Sequence, residues 1–183
     1  MSDVATSILN AAESRMRRGG FNGFSFRDIA TDVGVKSSSV HYHFATKEKL
    51  AAAVIRRYTE SVSGLIDAGF AREGDAMAVW TRAFRTTVDL PEHMCPCTVL
   101  GAAAMDLPQE VVVEVKGFFS MCREKMVAQG LTVERADELL ATAIGAQVVS
   151  NTLGDPSVYD RAIGQLMRDK GFAPQPEEAA VAA

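Results

Sequence analysis

Between Lys36 and Lys49 the chain gathers side chains that make directional hydrogen bonds or carry positive charge. They are Lys36, Ser37, Ser38, Ser39, His41, Tyr42, His43, Thr46, Lys47 and Lys49, with Arg27 a little upstream. Hydroxyls, imidazoles, a phenol and cations on one short segment suit contact with phosphate oxygens and base edges. A second group, His93, Cys95 and Cys97 at alternate positions, carries thiol chemistry. Alternate spacing is not the C-x-x-C zinc pattern and only one His is near, so no metal site is expected. Buried cysteine ordinarily behaves as a small hydrophobe, which makes core packing the plain reading. The sharper one is a redox or electrophile sensor, which needs a thiolate with a depressed pKa in an accessible, irregular stretch.

The elements that must position the first group are legible. Ser25 is a good N-cap, and Asp28 sits where a carboxylate favours a first helical turn. Ile29, Ala30 and Val33 then share one face. Gly34 can take the positive φ that ends a helix sharply, and Val35 can plug the corner that follows. From Ser37 a second short helix buries Val40 and Phe44, leaving Ser37, Ser38, His41 and Tyr42 outward. Two short helices joined by a tight turn form a helix-turn-helix, whose exposed second helix can lie in a DNA major groove. Thr46 caps a third helix whose first turn holds Lys47 and Lys49, where the dipole disfavours cations. A DNA phosphate at that helix end would satisfy both features; a solvated surface near Glu48 is the plainer account.

From about Thr6 to Leu50 the chain also closely resembles the DNA-binding domain of the tetracycline-repressor (TetR) family. The likeness rests on ILNAA in the first helix, Gly20, SFRDIA, GV, HYHF and TKEKL, in order and spacing. From Met77 onward no comparable motif appears. The resemblance places Arg27 close to the groove, where it reads guanine or binds phosphate. The family often has Lys-Gly-Thr where Ser37, Ser38 and Ser39 stand here, and Tyr where His41 stands. Tyr42 is expected on bases or sugar. His43 is expected on the backbone or, alternatively, packed beneath its helix.

Bulk properties agree. The chain has 183 residues, 48% of them hydrophobic, and a net charge of −4. Residues 1–60 hold nine Lys and Arg against six Asp and Glu, while the remainder holds ten against seventeen. A head at +3 on a body at −7 fits a DNA-binding unit on a non-binding one. Three cysteines argue against a disulfide framework. No apolar run reaches membrane-spanning length and no charged-then-apolar leader opens the chain, so a cytoplasmic location is expected.

The expected fold is all-α. Residues 1–50 form the helix-turn-helix domain, 51–172 a larger helical effector-binding and dimerisation domain, and 173–183 a disordered tail. The first helix spans roughly Val4 to Arg18, and a long helix from Thr46 to about Ala68 links head and body. Gly69 to Gly74 forms a boundary, and Leu90-Pro91 breaks the next helix. An irregular stretch precedes Pro108, which opens a further helix. The last two helices cover Thr132–Leu153 and Pro156–Lys170. Each base-reading side chain contributes about 1–3 kcal/mol, so one head with a few of them is a weak reader and a homodimer on a pseudo-palindrome is expected. Leu139, Ala143, Ala146, Gln147, Ile163, Leu166 and Met167 are the expected dimer surface, or else intrachain core. Trp80, Phe84, Met94, Cys97, Met105, Phe118, Phe119 and Cys122 are either pocket or core. In the family, an effector held there moves the linking helix and separates the heads; an apolar or amphipathic effector is expected, and no cofactor. An enzyme using the Cys-His group lacks a Gly-rich phosphate loop, a carboxylate pair and an orienting third group.

Overall fold

The computed structural model describes residues 3–88 and 94–168, and among them every regular element is helical. The α-helices are α1 (Asp3–Gly19), α2 (Phe26–Val33), α3 (Ser37–His43), α4 (Lys47–Glu73), α5 (Ala76–Arg85), α6 (Pro96–Ala102), α7 (Gln109–Ala128), α8 (Val133–Leu153) and α9 (Ser157–Arg168). The all-α architecture and the helix-turn-helix at α2–α3 match expectation.

The head assembles as its caps dictate. The Ser25 Oγ accepts the Asp28 N–H at 3.3 Å, and the Asp28 carboxylate accepts the Ser25 N–H at 2.8 Å. This reciprocal pair satisfies two donors that a helix start leaves open. Gly34 takes φ 74° and ends α2, a conformation that costs a residue with a Cβ about 1–2 kcal/mol. Val40 is fully buried, and Phe44, just beyond α3, packs half-buried against the same core. Over this pair lies α1, burying Ile8, Leu9, Ala12 and Met16. Its Arg15 makes a two-pronged contact with Asp32 of α2, at 2.5 and 2.9 Å.

Two boundaries differ from expectation. Helix α4 does not stop near Ala68 but continues to Glu73, and only Gly74, at φ 67°, ends it. Gly69 is buried inside α4, and a Cβ built there would meet Val79 Cγ1 of α5 at 3.0 Å. The glycine is kept for a close helix crossing, not for breaking a helix. The stretch before Pro108 is not wholly irregular, because Pro96, in the first turn, opens α6. The Leu90-Pro91 break, His93 and the tail lie outside the described residues.

In the body α4 lies along α7, and α8 packs on α9 and α5. Several buried polar groups are paired across elements, while among the described residues Ser150 Oγ and Asn151 Nδ2 of α8 have no hydrogen-bond partner. The Trp80 indole N–H donates to Gln129 Oε1 at 2.8 Å, and the Tyr159 hydroxyl to the Thr81 carbonyl at 2.8 Å. Gln147 accepts from the Thr98 hydroxyl at 3.1 Å and donates to the Thr87 hydroxyl. That corrects most of the expected dimer surface. Leu139, Ala143, Ala146, Gln147, Ile163 and Leu166 are all buried within the single chain, consumed by packing among α5, α7, α8 and α9. Of the seven, only Met167 is exposed, and the large apolar residues that α8 does present are Val133 at its start and Val148, Val149 and Leu153 toward its end. The buried core runs without a seam from Ile8 to Leu166.

Replacing Gly69 with Leu should overpack the crossing and lower stability by about 1–3 kcal/mol in a urea melt. The Asp32 carboxyl is held below its ordinary 3.8, chiefly by the Arg15 hydrogen bond and then by Arg15 charge, against burial. Its folded value being the lower, the pair's stabilisation is present above about pH 4 and lost as the pH falls through the folded value. Asp32→Asn should therefore cost up to about 1 kcal/mol at neutral pH, with the gap to the parent closing in acid.

Candidate nucleic-acid interface and pocket

The side chains singled out between Arg27 and Lys47 lie on α2, α3 and the start of α4, and α3 presents most of them. Ser37, Ser38 and His41 are exposed, Ser39 and His43 half-buried, and Tyr42 stands 85% exposed. A phenol so exposed contributes nothing to the buried core. The His41 ring rests edge-on against Phe26 of α2, centroids 4.6 Å apart, and the His43 ring lies edge-on to Tyr42 at 5.1 Å. These contacts limit how far the three rings can swing. Arg27 is exposed in the first turn of α2, and Lys36 precedes α3 without a side-chain capping bond.

At the start of α4, the Thr46 hydroxyl oxygen accepts the Lys49 N–H at 3.2 Å, as the sequence predicts. Lys47 is placed differently from either expected reading. Its ammonium sits over the rings of Phe21 and Phe24, 4.5 and 4.9 Å from their centroids. Partial burial lowers its pKa, against the pull of Glu48. Aromatic faces thus offset a cation that the helix dipole disfavours. In the same turn it is Lys49 that stands exposed.

A cavity of about 710 Å³ lies between α1, α4 and α5, and Phe118 of α7 and Cys95 at the start of α6 also border it. Its apolar wall combines Tyr58, Val62, Leu65 and Ile66 of α4 with Val79, Trp80, Ala83 and Phe84 of α5. At one end Arg72 and Arg82 share the Glu73 carboxylate, and both are more than half exposed. Deeper in, Glu13 of α1 accepts from Arg17 at 2.7 Å and from Arg57 at 2.8 Å. Arg17 also donates to the Met94 carbonyl at 2.9 Å, and its guanidinium lies 5.1 Å over the Tyr58 ring.

Of the side chains proposed from sequence, Trp80, Phe84 and Phe118 line this cavity, and five do not. Met94 lends its carbonyl to Arg17. Met105 is 97% exposed on the turn before α7. Phe119 packs where a Cβ on Gly101 would lie 3.2 Å from its ring. Cys97 and Cys122 are fully buried in the core. The contributions of α1 and α4 go beyond the sequence expectation, in which α4 is a link alone. The signal was present: Tyr58, Val62 and Ile66 recur every four residues beyond what the head requires.

The cysteines are less accessible than an irregular stretch implied. Cys95 is 2% exposed and Cys97 not at all. Burial alone pushes the Cys95 thiol up, but hydrogen bonds from Cys97 and Tyr58, with Thr98 adding, bring it below its ordinary value. Burial drives Cys97 and Cys122 the other way, with Cys95 next in raising both.

The model of the bacterial regulatory proteins of the tetR family matches residues 8–54, covering α1 to the first turns of α4. No match to a curated protein was found. A TetR-family transcriptional regulator from Agrobacterium tumefaciens is 27% identical, with 90% of this chain and 96% of that one covered at a TM-score of 0.81. A TetR transcriptional regulator from Legionella pneumophila superposes over 91% of this chain and 97% of its own, at 24% identity and a TM-score of 0.83. A regulatory protein TetR from Rhodobacter sphaeroides has the same fold at 16% identity and a TM-score of 0.80, covering 91% and 98%. The helix-turn-helix over residues 8–54 is thus that of the tetR family of bacterial regulatory proteins, and the chain as a whole has the fold of TetR-family transcriptional regulators, which supports a DNA-binding regulator.

Proposed function

We propose that this protein is a repressor that binds a pseudo-palindromic operator as a homodimer and is released by a small amphipathic effector. Residues 1–50 serve as the head and 51–172 as the body. The observation that carries the effector reading is the position of the cavity. Its walls belong at once to α1 of the head, to α4 and to α5 of the body, so an occupant touches elements on both sides of the head–body junction. An effector that binds the DNA-incompetent arrangement more tightly shifts the population toward it by linkage. The apolar wall takes the hydrophobic part of such a ligand, and the arginine-lined ends take a polar part.

On DNA, α3 enters the major groove with Ser37, Ser38, His41 and Tyr42 toward bases and sugars. Arg27 reads a base or a phosphate, Lys36, Ser39 and His43 reach the backbone, and the first turn of α4 docks a phosphate through its N–H groups at Thr46. Lys47 acts there as a fixed positive charge braced on Phe21 and Phe24, and Lys49 is the better placed to extend. Pairing of two copies uses α8 and α9, through their exposed residues instead of those first expected. Val148, Val149, Leu153 and Met167 supply apolar area, and Gly145, with open space around its Cα, allows close backbone approach.

Binding of reduced protein to DNA upstream of its own gene, titrated across salt, tests the regulator. Affinity should fall steeply with salt, and Lys36→Ala should reduce the log–log slope by about 1. Tyr42→Ala should cost about 1–3 kcal/mol of specific binding while leaving the thermal midpoint unchanged. Equal binding of Tyr42→Ala and parent would refute the placement of α3. For the pairing surface, Val149→Glu should turn a dimeric sedimentation mass into a monomeric one; a parent already monomeric at micromolar concentration would end the two-fold reading.

A further inference from the structure

The effector cavity contains a nucleophile that non-covalent binding does not use. Cys95 borders it, hydrogen-bonded to Tyr58. Leu65, 70% exposed, also lines it and gives an apolar entrance. Of the three thiols, only this one reaches the cavity; Cys97 and Cys122 face core.

We propose that Cys95 is a covalent capture site for small apolar α,β-unsaturated carbonyl compounds that enter this cavity, and that the adduct is itself a releasing signal. This deepens the effector reading above and rests on it. In the step, the Cys95 thiolate attacks the β-carbon and an S–C bond forms. The C=C π pair moves onto the carbonyl oxygen as an enolate. A proton, equal in number to the one the thiol gave up, then returns to the α-carbon through the Tyr58 hydroxyl or solvent. The net change is addition of S–H across the double bond, and no oxidant or reductant is consumed. The hydrogen bonds that Cys97 and Tyr58 make to the sulfur favour the attacking form. The cavity that Cys95 borders is also lined by Tyr58, Val62 and Phe118.

The consequence for DNA follows from what surrounds the sulfur. Tyr58 belongs to α4, and the Arg17 guanidinium on its ring belongs to α1 and holds the carbonyl of Met94, next to Cys95 in the chain. A carbon chain grown on the sulfur displaces Tyr58 or Arg17, and with either the seat of the head on the body.

The test is incubation of the reduced full-length protein with but-3-en-2-one, followed by peptide mapping by mass spectrometry and by operator binding. Cys95 should be modified about tenfold faster than Cys97 or Cys122, Tyr58→Phe should slow that labelling several-fold, and the singly modified protein should lose the operator. Cys95→Ser should bind operator like the parent when untreated and keep it after treatment. Labelling spread evenly over three cysteines, or sparing Cys95, overturns the proposal. So does loss of operator by treated Cys95→Ser, which would leave a pocket regulator released without a covalent bond. Absence of operator binding by every untreated variant marks failure of the regulator reading itself, while the labelling pattern still decides the capture site.

Discussion

One carboxylate ties the head to the body by charge, over a core that the two share. Glu13 projects from α1 and takes a guanidinium on each oxygen, Arg17 from its own helix and Arg57 from α4. Arg57 also donates to Asn10 at 2.8 Å, and Arg17 to the Met94 carbonyl. Three segments distant in sequence thereby share one network of about five charge-assisted hydrogen bonds, each stronger than a neutral one. With these groups partly buried, losing the carboxylate would leave two cations facing one another across the seam. The continuous core beneath supplies cohesion but no direction; the network supplies direction.

The recognition surface depends on that anchoring more than on its own stability. Helix α3 spans seven residues and has one fully buried side chain, Val40. A helix so short is marginal alone and exists because α1 and α2 hold it. Its sparse interior frees the remaining positions to face outward. The same economy appears at the start of α4, where Phe21 and Phe24 give Lys47 a fixed place over their faces. Ordering a long cation beforehand reduces the rotamer entropy lost on contact.

Local chemistry made the head readable from sequence. Ser25 with Asp28, Gly34, Val40 and Thr46 each act within a few residues, so spacing alone decides them. The cavity and the proposed pairing face are less readable because each depends on which of two apolar sides a helix turns inward. Leu139 and Ile163 look like surface candidates until packing against α5 and α7 consumes them. Trp80, Phe84 and Phe118 were found because large aromatic side chains near a cavity are hard to exclude from its wall. Tyr58 was not, since an apolar stripe on a connecting helix carries no label for what it faces. Gly69 misled for a related reason: a glycine before a polar run signals a break, and only the neighbouring helix reveals a crossing.

That crossing has a mechanical consequence. Gly69 lets α4 bear directly on the Val79 side chain of α5, and that contact can serve as a fulcrum. Tyr58 lies eleven residues from it and Lys47 twenty-two, about 16 and 33 Å along the axis. A swing that shifts the tyrosine by about 1 Å carries the tip of α4 through about 2 Å in a rigid helix. The long helix is thus geared, so that a small displacement beside Tyr58 arrives doubled at Lys47.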